Sequence, residues 1–267
     1  MTFGTPPLSN LTLRILSASV LAPLFIGAFW LGYPWLQGVL TLAAAGLYHE
    51  WFSLAQPRSV SRRWPVLFCT ALTAGVLLAL PRSQYPLLMV LFFIALGAVN
   101  LWWLPRHKGL ALLALPYLGL PLVALGWLAA QAFSWIVWAL LIVWLTDIGA
   151  YFAGRALGGP KLAPRVSPKK TWSGAIGGLL CALGGAALLG HWLHAPLWPL
   201  LLWTGLLSIL GQMGDLTESA LKRHFGVKDS GQIIPGHGGV LDRLDSLLFV
   251  ALALLALSLT GHHPLFP

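Results

Sequence analysis

Between Lys108 and Asp147 the chain carries no charged side chain, and between Lys170 and Asp215 it carries no Asp, Glu, Lys or Arg. A run of about 20 apolar residues matches the hydrocarbon core of a bilayer. Inside that core each backbone N–H and C=O must find its partner within the protein, which a helix achieves on its own. The runs are continuously apolar instead of alternating, so the pattern selects helices over a β-barrel. With 58% of its 267 residues hydrophobic and 9% charged, the chain is expected to be an all-α, polytopic integral membrane protein.

Apolar runs can be placed at 12–31, 35–55, 64–80, 85–104, 109–129, 133–153, 173–190, 197–214 and 246–261, which makes about nine transmembrane helices. The third and seventh are the short or Gly-rich ones. The first lacks a small-residue cleavage site before the second begins, so a retained helix is expected, with the mature chain starting near Met1. No linker or fixed-period repeat interrupts the series. A single membrane domain over 1–267 is expected, with N-terminal helices in 1–132 and candidate chemistry in 133–267. Cys69 and Cys181 both fall inside predicted spans, where they read as small apolar side chains and not as a disulfide or metal pair.

Net charge is +9, but in a membrane protein the placement of Lys and Arg sets orientation before it suggests nucleic acid as a partner. With the N-terminus cytoplasmic, the cytoplasmic segments hold Arg14, then Arg58, Arg62 and Arg63, then Arg106 and Lys108. They also hold Arg155, Lys161, Arg165, Lys169 and Lys170, followed by Lys222, Arg223, Lys228 and Arg243. Only Arg82 of the 16 basic residues falls outside, a partition that predicts the N-terminus inside. The polar segments 154–172 and 215–245 are then cytoplasmic loops, open to a water-soluble reagent.

The seven acids are Glu50, Asp147, Asp215, Glu218, Asp229, Asp242 and Asp245, and five lie between 215 and 245. At helical spacing Asp215, Glu218, Ser219 and Lys222 share one face, and Asp242 and Asp245 sit three apart at the start of the last span. The helix dipole favours one acid at an N-terminus by up to about 1 kcal/mol. Four carboxylates at two adjoining helix ends need more: either Mg²⁺, which prefers hard oxygen ligands, or pairing with Lys222, Arg223 and Arg243. Between them Pro235-Gly-His-Gly-Gly239 can turn sharply and present amides to an anion. His237 lacks a second His or Cys at zinc-ligand spacing and reads as a phosphate contact; His191 and His194 fall on the opposite side.

Lys161, Arg165, Lys169 and Lys170 lie in the other loop. SPKKT lacks the Gly that a phosphate-binding P-loop places before Lys-Thr, so the cluster either binds phosphate or anchors against anionic head groups. Asp147, read as buried near the end of the sixth span with Tyr151 and Arg155 on its helical face, is a functional candidate because acids at that depth are rare. Clustered acids, surplus cations and a Gly-rich turn together suggest phosphate chemistry at the membrane surface.

The run from Ser219 to Asp245, SALKRHFGVKDSGQIIPGHGGVLDRLD, resembles the signature of phosphatidate cytidylyltransferases (CDP-diacylglycerol synthases): Ser, then Lys-Arg, Lys-Asp, His-Gly-Gly, Asp-Arg and a last Asp. GDLTES and DIGAYFAGRALGGPKLAPRVSPKKTWSG also look like that family, so the resemblance covers roughly 140–250. It implies transfer of a cytidylyl group from CTP to phosphatidate, giving CDP-diacylglycerol and pyrophosphate in phospholipid biosynthesis. It further implies Mg²⁺ held by Asp215 and Asp242, with a second, monovalent cation left open, and Lys222 and Asp245 as catalytic partners. Substrate contacts would come from Ser219, Arg223, Lys228, Asp229 and His237, from Gly238, Gly239 and Arg243, and from Lys161, Lys169, Lys170 and Asp147. Where many relatives carry Ser or Thr after Asp147, this chain has Ile148.

The expected partners are CTP, phosphatidate, membrane lipid and a second copy of the chain in a homodimer, without nucleic acid. The expected location is a bacterial inner membrane, multi-pass. The alternative is a transporter or lipid-binding membrane protein with an ion-binding carboxylate cluster; the Asp and Gly spacing of CDP-alcohol phosphotransferases is absent. Glu50, far from the other acids in sequence, is expected to matter less unless it supports packing.

Overall fold

A computed structural model describes residues 19–20, 23–28, 30–55, 63–79, 113–234 and 238–261. The predicted fourth span, half of the first, and His237 lie outside them. The main helices are α1 (Trp35–Ala55), α2 (Arg63–Ala79), α3 (Leu120–Gln131), α4 (Phe133–Leu157), α5 (Trp172–Trp192), α6 (Leu197–His224) and α7 (Leu241–Ser258). A π-helical turn, Leu115–Gly119, leads into α3. The architecture is helical, as expected. By length and composition, α4, α5 and α6 can cross a membrane, while α2 and the segment 115–131 are shorter apolar helices.

Two boundaries differ from the sequence reading. At about 1.5 Å per residue, the 28 residues of α6 reach about 42 Å, well beyond a hydrocarbon core of about 30 Å. The helix therefore continues through Asp215, Glu218 and Lys222 to His224, and α7 already starts at Leu241. Of the segment 215–245 read as a loop, 215–224 and 241–245 are helical; polarity marked the exit from the membrane, not the end of the helix. The second difference is a small antiparallel hairpin, β1 (Lys161–Ala163) and β2 (Ser167–Thr171), within the basic loop. Gly158 and Gly159, at φ of 62° and 98°, turn the chain out of α4 into it. Thr171 closes it by accepting a hydrogen bond from Gly174 N at 3.1 Å, capping α5.

Close helix contacts set the frame. A Cβ on Gly178 would lie 2.6 Å from Thr146 O, and one on Gly214 would lie 2.6 Å from Asp245 O. Small residues thus let α5 approach α4 and let α7 approach α6, as membrane helices require when apolar burial alone cannot drive their association. Buried polar pairs join α4 to α6: Trp138 Nε1 donates to Thr204 Oγ1 at 3.1 Å, and Thr146 and Ser208 hydroxyls pair at 2.8 Å. The core runs through Leu36, Leu40, Phe52, Leu77, Leu122, Trp138, Leu207 and Leu254. Trp144, Leu180, Leu188, Trp198 and Leu202 point outward, an apolar exterior that suits lipid and not water.

Candidate active site

Six of the seven acids line one pocket of about 300 Å³: Asp147 from α4, Asp215 and Glu218 from α6, Asp229 from the α6–α7 connection, and Asp242 and Asp245 from α7. Lys222, Arg243 and Ser246 complete its lining. The chain thus gathers nearly all its negative charge where the C-terminal ends of α4 and α6 meet the N-terminal end of α7.

Within the pocket the acids divide into two groups. Oxygens of Asp215, Glu218 and Asp245 lie within 4.8 Å of one another. Glu218 is 1% exposed, and beside the Lys222 ammonium 2.8 Å from its Oε2, its Oε1 has no hydrogen-bond partner among the described residues. A buried, unpartnered carboxylate oxygen beside two further carboxylates is an all-oxygen donor set of the kind a hard divalent cation satisfies, so these residues fit Mg²⁺. Ser219 donates to Asp215 Oδ1 at 3.5 Å, and Lys170 from β2 pairs with Asp215 Oδ2.

Asp242 is held differently. Lys222 Nζ lies 2.6 Å from its Oδ1, while Ser230 N at 3.1 Å and Gly239 N at 2.9 Å donate to its Oδ2. Asp242 therefore ties the connection to the first turn of α7. The geometric cluster shares Asp215 with the pair implied by the resemblance and adds Glu218 and Asp245, while Asp242 lines the same pocket paired with Lys222. Glu218 belonged to the shared helix face, but sequence spacing alone could not show that it turns inward beside Asp245.

Other candidates are placed as follows. Asp147 is exposed to the pocket instead of buried in the span; Ile148 points outward. Gly238, at φ +89°, pairs with Ile234 in an isolated bridge. Arg223 donates to Val166 O at 3.3 Å and Val227 O at 2.8 Å, fastening α6 to the hairpin turn. Lys228 and Lys161 are exposed and line neither described pocket.

A second pocket, about 350 Å³, adjoins the first. Lys169, Lys170 and Arg155 line it together with Ala150, Gly174, Ala175 and Leu162, and no acid does. Arg155 donates to Tyr151 Oη at 2.8 Å. Cations above an apolar floor suit an amphiphilic anion. Lys170 belongs to both sites, lining the second while paired with Asp215 of the first.

Glu50 is the residue that the sequence reading undervalued. It is 1% exposed and accepts hydrogen bonds from Ser230 Oγ, Val240 N and Leu241 N, each at 2.9 Å. The available signal was general: an acid near the end of an apolar span is seldom idle.

A bundle of apolar helices with its carboxylates gathered in one pocket beside a basic, half-apolar one defines a polytopic membrane protein with a polar site at one end of the bundle. Residues 12–260 match the profile of the cytidylyltransferase family, and the chain belongs to that family. It is 42% identical over 247 residues to a phosphatidate cytidylyltransferase of Brucella suis, covering 91% of this chain and 92% of the relative. The corresponding protein of Brucella melitensis matches to the same extent. A phosphatidate cytidylyltransferase of Staphylococcus epidermidis is 54% identical over 123 residues, 45% of this chain and 47% of that protein.

Proposed function

We propose that the protein transfers the cytidylyl group of CTP to phosphatidate, releasing pyrophosphate and forming CDP-diacylglycerol, at the cytoplasmic face of a bacterial inner membrane. The observation that carries this reading is the pairing of a carboxylate pocket with a cationic, half-apolar pocket through Lys170. The first suits a metal-bound triphosphate, the second a lipid phosphate, and the family and the names of its relatives supply the reaction type.

A phosphate oxygen of phosphatidate forms a bond to the α-phosphorus of CTP as the bond from that phosphorus to the β-phosphate's bridging oxygen breaks. Pyrophosphate leaves with the electron pair, and nothing is oxidised or reduced. The nucleophile is already ionised, so the protein must align two anions and offset their charge. Lys169 and Arg155 hold the lipid phosphate, and Lys170 lies between it and the nucleotide. Lys222 and Arg243 offset charge on the triphosphate side. Mg²⁺ held by Asp215, Glu218 and Asp245 would neutralise charge that builds on the phosphate oxygens. Asp242 aligns Lys222 and the Gly238–Gly239 turn, with Asp215 and Asp242 as the direct ligand pair being the reading that substitutions can separate.

The test is product formation by the purified protein with CTP, dCTP, ATP, GTP or UTP and with phosphatidate, lysophosphatidate or diacylglycerol. CDP-diacylglycerol formed from CTP and phosphatidate, with no product from diacylglycerol, is the expected result. Absence of nucleotide-dependent product with every lipid would refute the reading and leave ion or lipid transport, which an ion-flux assay in vesicles would detect.

A further inference from the structure

The N-terminal half of the chain sends one carboxylate into the site's foundations. Glu50 lies in the last turns of α1 and is almost wholly buried, yet each of its three hydrogen bonds reaches a residue about 180 or more positions away in sequence. Two of the donors, Val240 N and Leu241 N, are the first amides of α7. That helix has no side-chain cap from its own N-cap residue, Val240, although the first turn of any helix leaves amides without internal partners. Glu50 supplies the acceptor, and its negative charge is favoured at the positive end of the helix dipole.

The surroundings are shaped around this carboxylate. A Cβ on Gly231 would lie 2.6 Å from Glu50 Oε1, and one on Gly239 would lie 2.6 Å from Glu50 Oε2. A Cβ on Gly46, one helical turn before Glu50, would lie 2.9 Å from Val240 Cγ2. Side chains at these positions would lift the α6–α7 connection away from α1. The same connection is gripped from its other side by Asp242, through Ser230 N and Gly239 N. Ser230 thus joins the two carboxylates, its hydroxyl to Glu50 and its amide to Asp242.

We infer that Glu50 is a positioning residue for the reaction proposed above: by fixing the connection and the first turn of α7 it sets where Asp242, Arg243 and Asp245 stand. The inference rests on that proposed function for its kinetic arm but not for its structural arm. Glu50→Gln keeps the side chain's size while turning one of the two accepting oxygens into a donor that faces an N–H or O–H, leaving an unmatched pair in a buried place. Loss of a residue that orients a metal site typically costs 10- to 100-fold.

The experiment compares wild type, Glu50→Gln, Glu50→Asp and Ser230→Ala as full-length proteins in detergent, measuring kcat and KM for CTP, melting temperature, and hydrogen exchange of segment 229–241. Expected for Glu50→Gln is a kcat about 10- to 100-fold lower, KM for CTP little changed, a preserved melting transition and faster exchange confined to 229–241. Glu50→Asp should recover part of the loss, and Ser230→Ala should speed the same exchange more mildly. Wild-type kcat and exchange in Glu50→Gln would overturn the inference, as would faster exchange spread evenly over all helices. Should Glu50→Gln fail to fold, unchanged exchange and full kcat in Ser230→Ala would overturn it. If wild type releases no pyrophosphate from CTP and phosphatidate, the proposed reaction fails while the exchange data still decide what Glu50 holds.

Discussion

The two acid groups around Lys222 make different predictions when charge is removed without change of size. Asp215→Asn and Asp245→Asn should each lower turnover by about 100-fold or more, since a metal contributes several kcal/mol of transition-state charge stabilisation. Both should also raise the Mg²⁺ concentration needed for half-maximal rate. Asp242→Asn should lower kcat through the loss of its contact to Lys222 while leaving the Mg²⁺ requirement near that of wild type. Magnesium titrations of the three purified variants check this; a requirement raised equally in Asp242→Asn would make Asp242 a direct ligand. That acids gather here was legible in the sequence, because ionisable groups beside apolar spans are rare and Asp215, Glu218, Asp242 and Asp245 show helical spacing. Their division was not legible, since helical phase gives the face a residue occupies but not the rotation of one helix against another. Glu50 was hidden for a related reason: its partners lie in a segment whose path no local pattern predicts.

Among the elements, the α6–α7 contact and the hairpin govern the two pockets. A Cβ at Gly214 would press on the backbone at Asp245 O and on the ring of Phe249. Gly214→Ala should therefore move α7 and destabilise the protein by about 1–3 kcal/mol, the usual cost of overpacking. Turnover should drop further than that loss of folded protein explains. Melting curves beside kcat per folded molecule test it. In the hairpin, Lys169→Gln with Lys170→Gln should reduce turnover on dispersed phosphatidate while the protein still inserts, because Arg155 alone remains among the cations of the second pocket. Near-normal kinetics would instead make the two lysines anchors to lipid head groups. Among the described residues the helices from α1 to α7 overlap predicted spans, whereas the hairpin was missed: three- and five-residue strands within a basic, Pro-containing segment leave no period to detect.

For the molecule as a whole, the ends of α1, α4 and α6 and the start of α7 meet at one end of the bundle, as Glu50, Asp147, Asp215 and Asp242 attest through their contacts and shared pocket. The alternating nine-span scheme puts those same ends on one side, which the Lys and Arg partition predicts to be cytoplasmic. Cysteines introduced singly at Val60 and His263, in a variant lacking Cys69 and Cys181, should differ in whole cells: an impermeant thiol reagent should label position 263 and spare 60. Labelling at 60 would reverse or break the scheme. The most direct test of the central claim, that the pocket around Asp215 performs cytidylyl transfer, is pyrophosphate release from CTP by purified protein in mixed micelles, with and without phosphatidate and Mg²⁺. Release that requires phosphatidate, CTP and Mg²⁺ together, and that falls by about 100-fold or more in Asp215→Asn, is the predicted result; release that persists at the wild-type rate in folded Asp215→Asn, or that ignores phosphatidate, would contradict it.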